Sequence, residues 1–566
     1  MRKKLLAGVM ALALCSTNMP LQTIFAGEFT SGNLEEVSEE TPEIFSDDNQ
    51  EVIEETEEEL SVFSSENVPE FSSEVNIMSA TADETKPIGI DMNDITNLNY
   101  YDSSKGIWKI TSAGSYRFNG TGNNDAPILI DHIDSGTVKV YLNNVNIHSA
   151  DRTPPLRITN TVHADVYIYL ESSNLLQSTY INSAALQIDG TTKLIIDNSP
   201  GTNGSLTANS SKHGTGIGSS GNSDLSPAFH IIIKGGAVTA SSFRSMGIGG
   251  NNSNITIKGG LVKVSSDQWC AIGGTKSNIT IDGGSVKASS RTHFGIKSSS
   301  LTINGGSVTA SSEEEPKEDI SSNQIIINGG SVKASSVSSS PTNDHGEKVY
   351  CCTIENLNSK KVIIDQNLKP WEPNNHQAVN PTDTNLYAWL TGEDHIVNVG
   401  TERRSYIFDS EDSESGTFSN TKRNATSDIF EFKGPRNFIY NGSSQTPSIT
   451  VNDTIKGVVN FTVKYFKEND STTEITEPKD VGTYIVKIDV NGGDFYNASS
   501  DYLTNENWKF DINPGTLTPK ITEHTGTYDG ISYPVITIDQ NTIPQNSIIA
   551  YSVDNKHTWK ILNSDD

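Results

Sequence analysis

Residues 254–290 read NITIKGGLVKVSSDQWCAIGGTKSNITIDGGSVKASS, nearly the same phrase twice. Aligned on its Gly-Gly pairs, the phrase recurs at Gly235-Gly236, Gly259-Gly260, Gly283-Gly284, Gly305-Gly306 and Gly329-Gly330, with spacings of 24, 24, 22 and 24 residues. A fixed period of this size marks a solenoid. Each unit places apolar-x-Ile before the glycines and x-Val-x-Ala-Ser-Ser after them, and alternation with period two means strand. The chain is therefore read as all-β, with a right-handed parallel β-helix of 22–24 residues per coil.

Four apolar columns follow from the alignment. They are Ile233, Ile257, Ile281, Ile303 and Ile327; Val238, Val262, Val286, Val308 and Val332; Ala240, Val264, Ala288, Ala310 and Ala334; and Ile248, Ile272, Ile296 and Ile320. Each should point inward, with coils about 4.8 Å apart. One coil buries almost nothing alone, so stability must come from stacking on neighbours. The Gly-Gly pairs are expected to make sharp turns with positive φ. The repeated Ser-Ser pairs are expected to hydrogen-bond along the rod axis. Weaker units extend upstream, and residues 110–122, ITSAGSYRFNGTG, read as the entry cap.

The rest of the chain sets the context. Arg2, Lys3 and Lys4 precede an apolar run and a small residue at Ala26, the pattern of a signal peptide over residues 1–26. Residues 28–84 carry 19 acids and no Lys or Arg, which accounts for most of the net charge of −29. Residues 27–86 are thus expected to be a disordered acidic leader. Nothing is basic enough for nucleic acid. No later stretch is long and apolar enough for a membrane span, so the mature chain is expected to carry none. Cys270, Cys351 and Cys352 are too few and badly placed for a disulfide framework. The exported chain is expected to be a monomer.

The motifs ITSAGSYRFNGTG, VKVYLNNVNI, ALQIDGTTKLIID, GSLTA, GTGIGSS and the repeated ITIxGGxVxA units occur in a fixed order. That order resembles the carbohydrate-binding β-helix proteins of clostridia and related Gram-positive bacteria, over residues 88–340. The resemblance implies an extracellular or cell-surface protein that binds plant or host polysaccharide, with Ca²⁺ as a candidate ion. Residues 346–426 resemble a small β module, and the β-helix is assigned residues 87–345. Residues 427–516 are similar to an MBG-type, Ig-like β-sandwich of adhesins, on Tyr440-Asn441-Gly442, Pro447, Tyr465, Gly482-Thr483-Tyr484 and Phe510. Tyr528-Asp529-Gly530, Pro534 and Tyr551 begin the same series again, so residues 517–566 read as a truncated second copy.

Three functions compete. A binder needs a face for sugar: Trp269 and His293 lie 24 residues apart, hence on successive coils, and alternation points both outward. An exposed aromatic face suits a sugar ring. Asp267 and Arg291 flank the aromatic pair in the same register, and Lys263 and Lys287 form a basic column nearby. A lyase or hydrolase needs clustered carboxylates. The columns Lys234, Lys258, Asp282, Asn304, Asn328 and Thr239, Lys263, Lys287, Thr309, Lys333 hold no such pair. The one concentrated acidic group, Glu313, Glu314, Glu315, Glu318 and Asp319, is a candidate cation site with oxygen ligands. Cys270 shares a column with Met246 and Phe294 and reads as a core residue. The reading is a non-catalytic glycan binder. The alternatives are a structural stalk and a degenerate polysaccharide lyase.

Overall fold

A computed structural model describes residues 86–515, apart from 121–125, 222–227, 315–317, 356, 366–383 and 412–414, together with short pieces between 520 and 561. The signal peptide and all but the last residue of the acidic leader lie outside the described residues. Those described are strand and turn, with a 3-10 turn at Ser427–Ile429. None of their helices is long and apolar enough to cross a membrane.

The repeat builds a parallel β-solenoid of about 10 turns. Three strand columns run along it. In the first, Tyr116, Val140, Ile168, Ile196, Ile233, Ile257, Ile281, Ile303 and Ile327 pair in succession. In the second, an eight-stranded sheet, the Val and Ala columns stack ahead of the Ser-Ser pairs. The third carries Leu156, Leu186, Ile217, Ile248, Ile272, Ile296 and Ile320. The expected columns are buried within one continuous core, with Ala334 partly buried at its end. Each buried Ile or Val stabilises by roughly 1.5–3 kcal/mol, and an exposed ion pair by about 1 kcal/mol or less. The columns, not the surface charges, hold the rod.

The two glycines of each pair serve different needs. Gly260 adopts φ +82°, and a Cβ there would lie 2.4 Å from the Gly236 carbonyl oxygen of the preceding coil. Gly259 lacks that backbone conformation, yet a Cβ on it would lie 2.5 Å from the Lys234 carbonyl. The expectation of positive φ therefore holds for the second glycine of the pair, while close approach of the neighbouring coil excludes a side chain at both.

Polar ladders run beside the apolar ones. Ser253 Oγ lies 3.0 Å from Ser277 Oγ, and Ser298 Oγ donates to Ser322 Oγ at 2.9 Å. Asn304 donates to Asp282, and Asn328 to Asn304. In the Ser-Ser pairs the axial bond goes elsewhere. The second serine reaches a backbone carbonyl, as Ser242 does to Gly214 and Ser290 to Trp269.

Both rod ends are covered, as exposed strand edges require. The entry cap lies upstream of the expected position. Gly114–Asn119 is already a coil strand, stacked on Ile88–Asp91. Tyr100 and Tyr101 pack over the end of the core instead. At the other end strand Leu386–Thr391 closes the rod: the Tyr387 N–H donates to Ser331 Oγ at 3.1 Å, and Trp389 Nε1 to the Val332 carbonyl at 3.0 Å.

Leu386–Thr391 also pairs antiparallel with Val349–Ile354. A four-stranded antiparallel sheet follows, ordered Val362–Ile364, His395–Val399, Glu402–Ser410, Gly416–Ser419. Beyond it, a five-stranded sheet and the pair Phe430–Lys433 and Ser448–Val451 share one core. Tyr484 and Phe510 stack at its centre, 5.0 Å apart, and the Tyr484 hydroxyl donates to the Asp480 carbonyl at 2.7 Å. That bond pins the turn that leads into strand Gly482–Gly493. Arg403–Asp494, Arg423–Asp394 and Lys456–Glu393 ion pairs tie these strands to the preceding sheet.

Candidate functional site

The second sheet presents alternate side chains outward after each Gly-Gly turn. Lys263 and Lys287 sit directly across from each other on adjacent coils, both exposed. Neither has an ion-pair partner among the described residues. Two positions further along come the first serines of the Ser-Ser pairs, and two beyond those Asp267 and Arg291. Arg291 grips Asp267 with both arms, Nε to Oδ1 at 2.5 Å and Nη2 to Oδ2 at 3.1 Å. That bond holds the Asp267 carboxyl below its ordinary range and raises Arg291.

Asp267, Arg291 and the serines line a groove of about 510 Å³ along the rod's corner, with Asn209, Ser241, Ser265 and Ser289 as its repeated polar rungs, and Lys263 and Lys287 lie outside its lining. Ser241 Oγ donates to Asn209 Oδ1 at 2.8 Å. Phe243, 42% exposed, adds an apolar edge. The groove presents hydroxyl and amide groups at one-coil intervals, a spacing close to the length one pyranose adds to an extended polysaccharide.

Trp269 and His293 meet as expected, ring centroids 4.8 Å apart and tilted by 39°. They do not face fully outward. Strands Leu261–Ser266 and Ser285–Ser290 end before them, so alternation no longer governs their direction. Both are half-buried on the corner, and the indole Nε1–H is buried without an acceptor. Phe294, expected inside, is half-buried, with Lys297 Nζ 4.2 Å from its ring. Met246 and Cys270 are fully buried, and burial pushes the Cys270 thiol up to about 12, which leaves it inert.

The acidic loop does not converge. Glu313 and Glu314 are exposed, Glu315 lies outside the described residues, and Glu318 is half-buried. Asp319 turns inward and accepts the N–H groups of Ser312 at 2.7 Å and Ser335 at 2.5 Å, so it fixes a turn. Among the described residues no three His, Cys, Asp or Glu side chains are placed to hold a metal ion.

Three clusters escaped the sequence reading. Asp131 is buried and accepts Thr159 Oγ1 and Thr161 Oγ1, each at 2.8 Å, with Lys109 at 3.5 Å. Burial opposes its charge, but the threonine and His132 bonds prevail and hold its carboxyl down to about 2. It is unsuited to donate a proton near neutrality. Asp189 nearby is bound by Arg157 at 2.6 Å. Tyr141, Tyr167 and Tyr169 form an outward aromatic ladder, signalled by alternation in the run DVYIYL. The Tyr141 and Tyr169 rings stack 4.9 Å apart, and Arg117 lies over Tyr141, so ring faces are spent on each other. His395, buried, binds Asp365 across 30 residues of non-repeating sequence, a relation no local signal carries.

No curated protein and no solved structure matches the chain. Residues 104–344, nearly the span over which the motifs fall in order, match the model of a family described as carbohydrate-binding domain-containing protein, and that match and the β-solenoid together fit a carbohydrate-binding protein.

Proposed function

We propose that the chain is an extracellular or cell-surface glycan-binding protein without catalytic activity, and that polysaccharide lies along the serine-lined groove of the second sheet. The observation that carries this reading is the groove's position inside the stretch that matches a carbohydrate-binding family. Lys263, Lys287 and the Asp267–Arg291 pair border it, and Trp269 with His293 stiffens its corner. The MBG-type domains would supply reach from the cell. A stalk without sugar specificity is the second reading, favoured by the buried indole N–H and by the mutual saturation of Asp267 and Arg291.

The test is a binding assay of the full chain on cellulose, polygalacturonate and a mucin-glycan panel, with and without Ca²⁺. Ser265→Trp, which fills the groove, should strongly weaken saturable binding to the polymer, and Trp269→Ala should weaken it too. Unchanged binding by the folded Ser265→Trp chain would remove the groove. A clean negative for the unmodified chain would leave the stalk, and release of unsaturated uronides would turn the reading to a lyase.

A further inference from the structure

A second concavity, of about 740 Å³, lies outside the rod, on the strands that follow it. Strand Val349–Ile354 alternates so that Cys351 and Thr353 face this hollow, with Glu355 just beyond the strand's end. Across from them stands strand Glu402–Ser410, with Glu402, Arg404 and Tyr406 on the near face. Thr417, Phe418 and Asn420 complete the wall.

The charge in the hollow is organised. Arg404 Nε and Nη2 each donate to a Glu402 carboxylate oxygen at 2.8 Å, and Nη1 donates to the Glu355 carbonyl at 2.5 Å. The guanidinium side chain is 17% exposed. Its plane is therefore fixed before any ligand arrives, and its charge is neutralised by its own partner. Lys422 donates to the Gly493 carbonyl at 2.6 Å, and with Glu355, Glu402 and Arg404 it makes a lining of two positive and two negative groups, without net charge. What the hollow presents is a preorganised donor–acceptor pair, threonine hydroxyls, an amide and the half-buried ring of Phe418, while the ring of Tyr406 is buried in the core beneath it. An uncharged ligand with vicinal hydroxyls fits that inventory: one hydroxyl accepts from the guanidinium rim, its neighbour donates to Glu402, and the C–H face of the ring meets Phe418.

We infer that this hollow is a second sugar subsite, for a neutral oligosaccharide unit. The inference rests on the proposed role of the rod as a glycan binder and adds a second point of attachment on the same chain. Two linked sites raise the apparent affinity for a polymer by about 10²–10⁴ over either alone when both engage together.

The test uses the full chain and three probes: cellohexaose, xylohexaose and maltohexaose. The rod groove is first blocked by Ser265→Trp. The blocked chain should still bind at least one probe in saturation-transfer NMR. Adding Thr353→Trp, an exposed position that fills the hollow, should weaken that binding about ten-fold or more, the loss expected when a central contact is removed. Glu402→Gln, which frees Arg404 without adding bulk, should weaken it as well. A blocked chain that binds no probe the unmodified chain binds, or binds equally well with Thr353→Trp, would overturn the second subsite and leave the rod's role intact. An unmodified chain that binds no glycan at all would remove both.

Discussion

Ser266 Oγ lies 2.7 Å from the Ser245 carbonyl oxygen, to which it donates, and accepts the Trp269 N–H at 3.0 Å. One buried hydroxyl thus ties a coil to its neighbour and closes its own corner. Ser266→Ala leaves a buried N–H and a buried C=O unpaired, at a cost of about 1–3 kcal/mol. Ser265→Ala, on the exposed side of the same pair, should stay within about 0.5 kcal/mol of the unmodified chain. Denaturant titration of both variants checks this. Equal effects would mean that the serine repeat is not a staple.

Gly260 and Gly346 share nearly the same backbone conformation, φ +82° and +78°, but differ in surroundings. A Cβ on Gly346 meets nothing within 4 Å, whereas one on Gly260 runs into the Gly236 carbonyl. Gly346→Ala should cost only the conformational strain, on the order of 1 kcal/mol. Gly260→Ala should cost clearly more, because the preceding coil must shift. The difference between the two melting temperatures isolates the contact between coils. Equal melting temperatures would show that the coils have slack at the turn.

His395 faces two acceptors, the Asp365 carboxylate from Nδ1 and the Thr391 carbonyl from Nε2 at 3.0 Å, and only the imidazolium donates from both nitrogens. Burial opposes the charge, but the bonds to Asp365 and Thr391 and the nearby Glu393 outweigh it, so the His395 pKa is raised. Asp365 is lowered: burial acts against its charge, and the His395 bond prevails. For a raised histidine, the stabilisation is fully present below the unfolded value near 6.5 and fades as pH climbs through the folded value. For a lowered aspartate, it is present above the unfolded value near 3.9 and lost as pH falls through the folded one. The pair should therefore contribute most between about pH 4 and 6.5. His395→Gln should flatten the alkaline side of the stability profile, read by thermal melts from pH 5 to 9. An unchanged slope would rule His395 out as its source.

The rod was legible because its determinants are local and repeated: a glycine pair, an alternation and a period suffice to place Ile257 over Ile233. The same arithmetic placed Arg291 on Asp267 and His293 on Trp269. It misjudged Trp269 and Phe294, since alternation holds only within a strand and both lie on a corner beyond one. It misplaced the entry cap because Ile88–Asp91 pairs like a coil strand without carrying the repeat's glycines. The acidic loop looked like one group in sequence, but Asp319 is drawn away by two backbone N–H groups. His395–Asp365 and the hollow around Arg404 rest on pairings between distant, unrepeated segments, which leave no periodic trace.

The rod's strands stack through hydrogen bonds that all run along its axis, so each coil is held by its immediate neighbours and by no disulfide. Mechanical load along that axis meets a series of equal, weakly coupled clasps. The rod should yield by shedding coils singly, each 22- to 24-residue turn of the Gly-Gly repeat releasing roughly 70–85 Å of extended chain. A force-extension trace should accordingly show a staircase of similar steps, where a single rupture would mean that the coils fail together. A protein that holds a polymer in flow would gain from this a tether that lengthens under sudden strain before it lets go.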